Sequence, residues 1–257
     1  AGLEAKKVKD EEAARLKEQE AKKAEEARKQ EEAKQQTNGS GNGGSGQGAS
    51  LGKGSYANAE KVYLNSSWQY ADHAAITSGA AVMYKASSNR KDIVVGVNAG
   101  HGTSGGGSVK TLCHPDGSAK TTGGTTSSGS TKAVAVSGGM TFSDGTGEST
   151  VTLRMAQILR DKLLDAGYDV LMIRETDDVQ LDNIARTVMA NNMADCHIAL
   201  HWDSTKSNKG AFYMSVPNNA AYRAMEPVAS HWESHNKLGS ALVGGLKQNG
   251  VKIFSSG

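Results

Sequence analysis

Residues 91–102, KDIVVGVNAGHG, decide the fold, because an apolar, β-branched run leads a histidine into a glycine-rich turn. The run over residues 93–97 predicts a short strand that is buried on both faces. In an open α/β sheet, ligands and catalytic groups gather beyond the carboxyl ends of the strands, which is where His101 is expected. Taken alone, a histidine in such a turn is better explained as a hydrogen-bonded turn residue than as a metal ligand.

After a polar stretch, the chain alternates helices and strands. A helix is predicted to open at Glu148, with an apolar stripe at 3.6-residue spacing, and to stop at Gly167. A strand over 168–173, a helix over 181–193 and a strand over 196–201 follow. This alternation predicts a mixed, largely parallel sheet with helices on both faces.

The remaining parts of this domain are less regular. Residues 74–86 fit helix or strand equally well, and the polar insert of residues 104–147 contains one short expected strand, 133–136. A further strand over 211–216, helical segments over 225–248 and the approach to a strand over 251–254 complete the chain. Because these strands would leave a long sheet edge unpaired, we expect the C-terminal part of the domain to lie beyond Gly257.

Two segments of different composition precede the domain. Residues 1–36 are almost entirely Ala, Glu, Lys, Arg and Gln, with favourable i,i+4 charge pairs and few large apolar residues, so they predict a solvated helical spacer rather than a coiled coil. Fully helical, this spacer would be about 54 Å long. The composition of residues 37–54 predicts a flexible Gly/Ser linker. The packed domain therefore spans residues 55–257, with its core from about residue 91.

Composition excludes some classes of partner. The net charge is +2, and no basic stripe interleaved with aromatic residues indicates nucleic acid binding. No apolar run reaches the roughly 18 residues of a membrane span. Residue 1 is Ala rather than Met, so an export signal is expected upstream of this chain. Cys113 lies in a polar loop and Cys196 in an apolar strand, which favours reduced thiols without excluding one disulfide.

Three side chains combine into a candidate metal site. His101 and His201 each follow a strand at the same edge of the sheet, and Glu148 begins the helix that leads back to it. Two imidazoles and a carboxylate, with a fourth position left for water, are the ligand set of catalytic zinc hydrolases. Zn²⁺ held in this way lowers the pKa of bound water to about 7 and polarises a scissile carbonyl.

Several stretches together carry a family resemblance. They are IVVGVNAGHG (93–102), the helix from Glu148, GYDVLMIRETDDVQLDNIARTVMANNMADCHIALHWDS (167–204) and KGAFYMSV (209–216). In this order they resemble the zinc-dependent N-acetylmuramoyl-L-alanine amidases of the amidase-3 type. The resemblance covers about two thirds of the chain, from residue 91 to the end.

The resemblance implies that His101, Glu148 and His201 bind Zn²⁺ and that the substrate is peptidoglycan. The reaction implied is hydrolysis of the amide between the lactyl group of N-acetylmuramic acid and L-alanine, outside the cell or at the cell wall. Arg174 and Arg186 match a family stretch that we interpret as structural, as charges that anchor the strand-to-helix connection. The family's general-base glutamate is expected in a later strand, beyond Gly257, so the catalytic base of this chain is unknown.

Some residues depart from the family pattern or offer other chemistry. Trp202 and Asp203 follow His201 where the family more often has Ala and Asn, and the insert of residues 104–147 fits a lid or a wall-contacting loop equally well. Possible replacements for the base are Asp203, Glu233 and Glu226, none of which matches a family catalytic position. The remaining side chains that could bind metal are interpreted as packing, surface or turn residues: Cys113, His114, Asp116, His73, His197, His231 and His235.

Two other functions stay open from the sequence. A peptidoglycan-binding or assembly module could keep the zinc fold without turnover, and the helical spacer could then connect it to a protein partner or an anchor. A general zinc peptidase would share only the metal constellation. Release of free stem peptide from peptidoglycan separates the amidase from both.

Overall fold

The computed structural model describes residues 59–205 and 207–254. The predicted helix over residues 1–36 and the linker over residues 37–54 lie outside this part. The described strands are β1 (Glu60–Tyr63), β2 (Ala80–Tyr84), β3 (Val94–Ala99), β4 (Lys110–Leu112), β5 (Lys132–Val134), β6 (Asp169–Met172) and β7 (Cys196–Leu200). The described helices are α1 (Glu148–Asp165), α2 (Asn183–Met193), α3 (Ala220–Arg223) and α4 (Val228–Gln248).

The main sheet has five strands in the order β1-β2-β6-β3-β7. The three strands β6, β3 and β7 are parallel, with β3 in the middle, while β2 and β1 continue the sheet in antiparallel pairing. The predicted mixed sheet is confirmed, and the undecided stretch of residues 74–86 contains strand β2. Because β3 and β7 are parallel neighbours, His101 and His201 emerge at the same edge of the sheet.

Helices cover both faces of the sheet, as side-chain alternation along β6 shows. Val170 and Met172 pack in one cluster with apolar residues of α1, whereas Leu171 and Ile173 pack in a second cluster with residues of α2. All four side chains are fully buried. Successive residues of a strand point to opposite faces, so this buried strand reads as a continuous apolar run rather than an alternating one.

The buried carboxylate of Asp182 fixes the start of α2. It caps the helix by accepting the N–H of Ala185 at 2.8 Å, and its second oxygen accepts the N–H groups of Ala75 and Ile76. An aspartate at this position satisfies a backbone donor that the first turn of a helix leaves free. One side chain therefore fixes both the helix and the segment that leads into β2.

The predicted strand over residues 211–216 is wrong. Only Ala211 forms a bridge, parallel to Ile253, while Tyr213 and Val216 contact α4. Tyr213 lies so close to Gly239 that a Cβ at that glycine would overlap the ring, and Val216 donates its N–H to the side chain of Asn236 at 3.0 Å. An apolar run becomes a strand only where a partner strand is adjacent, and here a helix occupies that place.

The polar insert has a small sheet of its own. Strand β5 matches the short strand expected at residues 133–136, and it pairs with β4, which the sequence does not indicate. Cys113 and Cys196 are both free thiols. Among the described residues, no helix combines the length and apolar character needed to cross a membrane.

Candidate metal centre

His101, Glu148 and His201 converge at the carboxyl edge of the parallel strands. His101 Nε2 lies 2.9 Å from Glu148 Oε1, and His201 Nδ1 lies 3.0 Å from His101 Nε2 and 3.2 Å from Glu148 Oε1. His101 and Glu148 are buried, whereas the His201 side chain is 52% exposed. Three possible ligand atoms thus form a small triangle that is open to solvent on the His201 side.

His101 is held in an unusual backbone conformation. Its φ is 66°, in the left-handed region that non-glycine residues seldom adopt, and such strain is found where the surrounding structure enforces it. The preceding Gly100 lies against the His201 ring, so that a Cβ at position 100 would come within 2.6 Å of His201 Nε2. The glycine-rich turn therefore lets the two histidines approach each other.

A bond to Ser137 orients the imidazole of His101. Its Nδ1 lies 2.8 Å from the carbonyl oxygen of Ser137 and 3.2 Å from the hydroxyl of the same residue. Because a carbonyl oxygen only accepts, Nδ1 carries the proton, and in a neutral ring Nε2 then presents its lone pair to the triangle. This is the tautomer that a metal ligand needs.

The carboxylate of Glu148 is fixed at both oxygens by backbone donors. Oε1 accepts the N–H of Trp202 at 2.8 Å, and Oε2 accepts the N–H of Met140 at 2.9 Å. Burial raises the pKa of Glu148, but these two donors and the adjacent His101 outweigh it, and the pKa lies below its ordinary value. The group is therefore an anion at neutral pH, at the positive end of α1.

These donor atoms fit a metal ion. In the neutral tautomer, His101 Nε2 and Glu148 Oε1 are both acceptors, so their contact of 2.9 Å is favourable only with a proton or a metal cation between them. Tetrahedral ligands about 2.0–2.1 Å from Zn²⁺ lie about 3.3 Å from one another, close to the edges of this triangle. Burial and the neighbouring His101 lower the pKa of His201, which favours the neutral imidazole that binds metal.

Arg174 binds the turn before His101 from one side. Its guanidinium is fully buried and donates to the carbonyl oxygens of Ala99, Gly100 and Ser149 at 2.8–3.1 Å, and to the hydroxyl of Thr152 at 2.9 Å. Since Ser149 and Thr152 belong to α1, one side chain joins the helix that carries Glu148 to the turn that carries His101.

Arg186 binds the same turn from the other side. It donates to the carbonyl oxygens of Ala99 at 3.2 Å and His101 at 2.8 Å, and to the side chains of Asn98 and Thr103. It also donates to the carbonyl oxygen of Leu181, in the strand-to-helix connection that the sequence analysis predicted it would anchor. Its other four bonds nevertheless go to residues 98–103, the end of β3 and the turn that carries His101, which the sequence did not predict.

The end of the insert encloses the site. The insert contains Ser137, which binds His101, and Met140, which binds Glu148. It also contains Gly139, where a Cβ would lie 2.8 Å from His101 Cδ2 and 2.9 Å from Glu148 Oε2. These residues act through backbone atoms and close approach. The glycines at 138 and 139 are the only sequence signal that marks this contact.

The other candidate ligands do not join the triangle. Within the described part of the chain, His101, Glu148 and His201 are the one group of three or more donor side chains close enough to share an ion. His231 and His235 stack on α4 with ring centroids 6.3 Å apart, and Asp116 and His114 both bond to Ser118 in a turn. The turn interpretation of this last pair agrees with its hydrogen bonds.

The carboxylates considered as substitute bases have other contacts. Asp203 forms an ion pair with Lys209 at 3.0 Å, and Glu226 accepts the hydroxyl proton of Ser230 at 2.6 Å. These contacts give neither residue a role at the triangle. A general-base glutamate beyond Gly257 stays a prediction.

Comparison with known proteins identifies a family. The model of the N-acetylmuramoyl-L-alanine amidase family matches residues 95–255, which is more than half of the chain and contains all three residues of the triangle. No curated protein and no solved structure matches the chain.

Proposed function

The chain belongs to the amidase-3 family of N-acetylmuramoyl-L-alanine amidases, and from this premise we propose that it hydrolyses peptidoglycan with the help of Zn²⁺ held by His101, Glu148 and His201. The bond cleaved is the amide between the lactyl group of N-acetylmuramic acid and L-alanine. The observation that carries the proposal is the triangle of donor atoms within the family match. Its edges of 2.9–3.2 Å suit one small cation.

Each residue of the triangle has a defined part in this proposal. His101 presents the lone pair of Nε2 because its Nδ1–H donates to the carbonyl oxygen of Ser137, and Glu148 contributes one negative charge through Oε1. His201 contributes Nδ1 from the solvent-exposed side, where substrate can approach. Zinc, when bound, supplies Lewis-acid polarisation of the carbonyl and a water of lowered pKa.

The products follow from the atoms exchanged. The oxygen of water bonds to the lactyl carbonyl carbon, the carbon–nitrogen bond breaks, and the amine of L-alanine takes up a proton as it leaves. Arg174 and Arg186 take no part in this transfer, because their guanidinium groups are fully buried and bonded to carbonyl and hydroxyl oxygens. They are positioning residues for the turn of His101.

The proposed substrate has consequences for location and partners. Peptidoglycan lies outside the cytoplasmic membrane, so the protein acts outside the cell or in the cell wall. The charged segment of residues 1–36 is proposed as a helical spacer between the amidase and an anchor or protein partner.

The test combines metal analysis with digestion of purified muropeptides. We expect the wild type to bind zinc and to release stem peptides that begin with a free L-alanine amine, identified by mass spectrometry. His101→Ala should lose zinc and reduce turnover by at least about 100-fold, because a catalytic ion needs its full ligand set. His231→Ala, a histidine of α4 outside the triangle, is the matched control and should keep both properties.

Three results would contradict the proposal. A wild-type protein that binds no zinc, or a His101→Ala variant with unchanged zinc content, would reject the metal site. Retention of the wild type on insoluble peptidoglycan without release of stem peptide would favour a binding module instead.

A further inference from the structure

An aromatic pair stands at the rim of the metal centre. Trp202 directly follows His201, and its ring lies 6.5 Å from that of Phe142, centroid to centroid, at an interplanar angle of 68°. Trp202 is 37% exposed, and Phe142 is half-buried. An exposed indole beside a buried polar cluster is suited to ligand binding, because aromatic rings with one accessible face are enriched where proteins bind ligands.

Trp202 and Phe142 belong to two backbone segments that bind the same carboxylate. The backbone N–H of Trp202 binds Oε1 of Glu148 at 2.8 Å, and Met140, two residues before Phe142, binds Oε2 at 2.9 Å. Phe142 is further fixed by a turn, in which its N–H donates to the carbonyl of Thr146 at 2.8 Å. These bonds fix the backbone that carries the two rings close to the atoms proposed to bind the metal.

The chemistry of the substrate indicates which part meets this surface. On the carbonyl side of the scissile amide is a pyranose ring, whose face is a flat array of C–H groups that packs on an aromatic ring. On the amine side is a peptide that carries charged groups. Among the described residues, the cation nearest to Trp202 in sequence is Lys209, whose ammonium group is paired with Asp203 at 3.0 Å, while the exposed indole itself offers an apolar face.

We propose that Trp202 and Phe142 form a platform that binds the N-acetylmuramoyl ring of the substrate. This rests on the proposed function, and it adds the saccharide as the part of the substrate that this chain recognises. It also assigns a role to the insert, because Phe142 belongs to it: the insert supplies one half of the saccharide platform as well as the backbone contacts to His101 and Glu148.

The test measures binding and turnover separately in Trp202→Ala, Trp202→Phe and Phe142→Ala. These replacements keep the hydrogen bond from the backbone N–H of residue 202 to Glu148. An unchanged zinc content in each variant would verify that the metal centre is intact. We expect Trp202→Ala to raise KM for a muropeptide roughly 3- to 10-fold, the size of a lost aromatic contact, while kcat stays within about 2-fold. Phe142→Ala should act in the same direction, and Trp202→Phe should restore most of the affinity.

Direct binding identifies the part of the substrate concerned. In saturation-transfer NMR, N-acetylmuramic acid should contact the wild type and lose that contact in Trp202→Ala, whereas a free stem peptide beginning with L-alanine should behave alike with both. Trp232→Ala is the matched control, since that tryptophan lies on α4 with the guanidinium of Arg223 4.2 Å from its ring centre. It should leave both measurements unchanged.

Equal binding of N-acetylmuramic acid by the wild type and Trp202→Ala would overturn the platform, as would a loss confined to the stem peptide. These outcomes are distinct from failure of the proposed function. A wild type that releases no stem peptide would reject the amidase activity, while the saccharide measurement would still decide whether the platform exists.

Discussion

At the residue scale, Gly139 is the position of the insert at which a side chain would collide with two of the proposed metal ligands. Its φ is 83°, and a Cβ there would meet both the His101 ring and the carboxylate of Glu148. We expect Gly139→Ala to displace these ligands and weaken zinc binding about 10- to 100-fold, the usual effect of disturbing groups around a metal site. A competition titration with a chromophoric chelator measures the affinity.

Gly145→Ala separates this effect from backbone strain. Gly145 has a nearly identical φ of 86°, but a Cβ there would have no neighbour within 4 Å. Gly145→Ala should therefore lose as much folding stability to the left-handed backbone conformation as Gly139→Ala does, but it should keep the zinc affinity of the wild type. A similar loss of affinity in both variants would mean that contact with the ligands is not the cause.

Residues differ in how far the sequence reveals their roles at this site. His101, Glu148 and His201 could be named because histidines after parallel strands and a glutamate at a helix start are chemically distinctive. Ser137 and Met140 could not, since the bonds they make to the ligands come from a carbonyl oxygen and a backbone N–H, which every residue except proline possesses.

At the element scale, Asp169 ties the start of β6 to the segment that follows β2. Its buried carboxylate accepts hydrogen bonds from Arg90 and from the N–H of Ala86 at 3.0 Å. The Arg90 hydrogen bond, aided by Ala86, outweighs burial and holds the pKa of Asp169 below its ordinary value. The stabilisation is therefore complete above the unfolded-state pKa of about 3.9 and is lost as the pH falls through the folded-state pKa.

Asp169→Asn should consequently destabilise the protein by about 1–3 kcal/mol at pH 7, as expected for lost hydrogen bonds to a buried charge. Urea denaturation at pH 7, 5 and 3 should show that the difference in unfolding free energy from the wild type is equal at pH 7 and 5 and smaller at pH 3, where the carboxylate begins to be protonated. Asp92→Asn is the control, because Asp92 also pairs with Arg90, at 3.1 Å, but is 77% exposed. A pH-independent difference for Asp169→Asn would show that shape, not charge, is responsible.

Helices and strands could be predicted where the apolar pattern of their own residues was enough to define them. The amphipathic helix from Glu148 and the apolar strands β3, β6 and β7 lie close to their predicted positions. Residues 211–216 have the same apolar character, yet they pack against α4 through Tyr213 and Val216 instead of pairing. Strand formation depends on a partner strand that is distant in the chain, and the local composition does not show whether such a partner is present.

At the scale of the whole molecule, the predicted division of the chain can be tested by deletion. The five-stranded sheet and the metal centre are built entirely from residues after 59. We therefore expect a protein that begins at residue 55 to match the full chain in thermal unfolding temperature within about 2 °C, in zinc content and in hydrolysis of soluble muropeptides. A large fall in unfolding temperature would show that residues 1–54 belong to the folded unit.

The three proposed ligands are far apart in the sequence, so a bound ion would connect distant parts of the chain and stabilise the folded protein. Hydrogen-bonded pairs within the triangle are separated by 53 and 100 residues, so one ion would close two long loops across the parallel strands. By mass action, an ion present at about 1,000 times its dissociation constant stabilises the folded state by about 4 kcal/mol. Under the proposed function, a metal-poor medium would therefore reduce both hydrolysis and resistance to proteases, so that zinc availability would set how long each molecule survives.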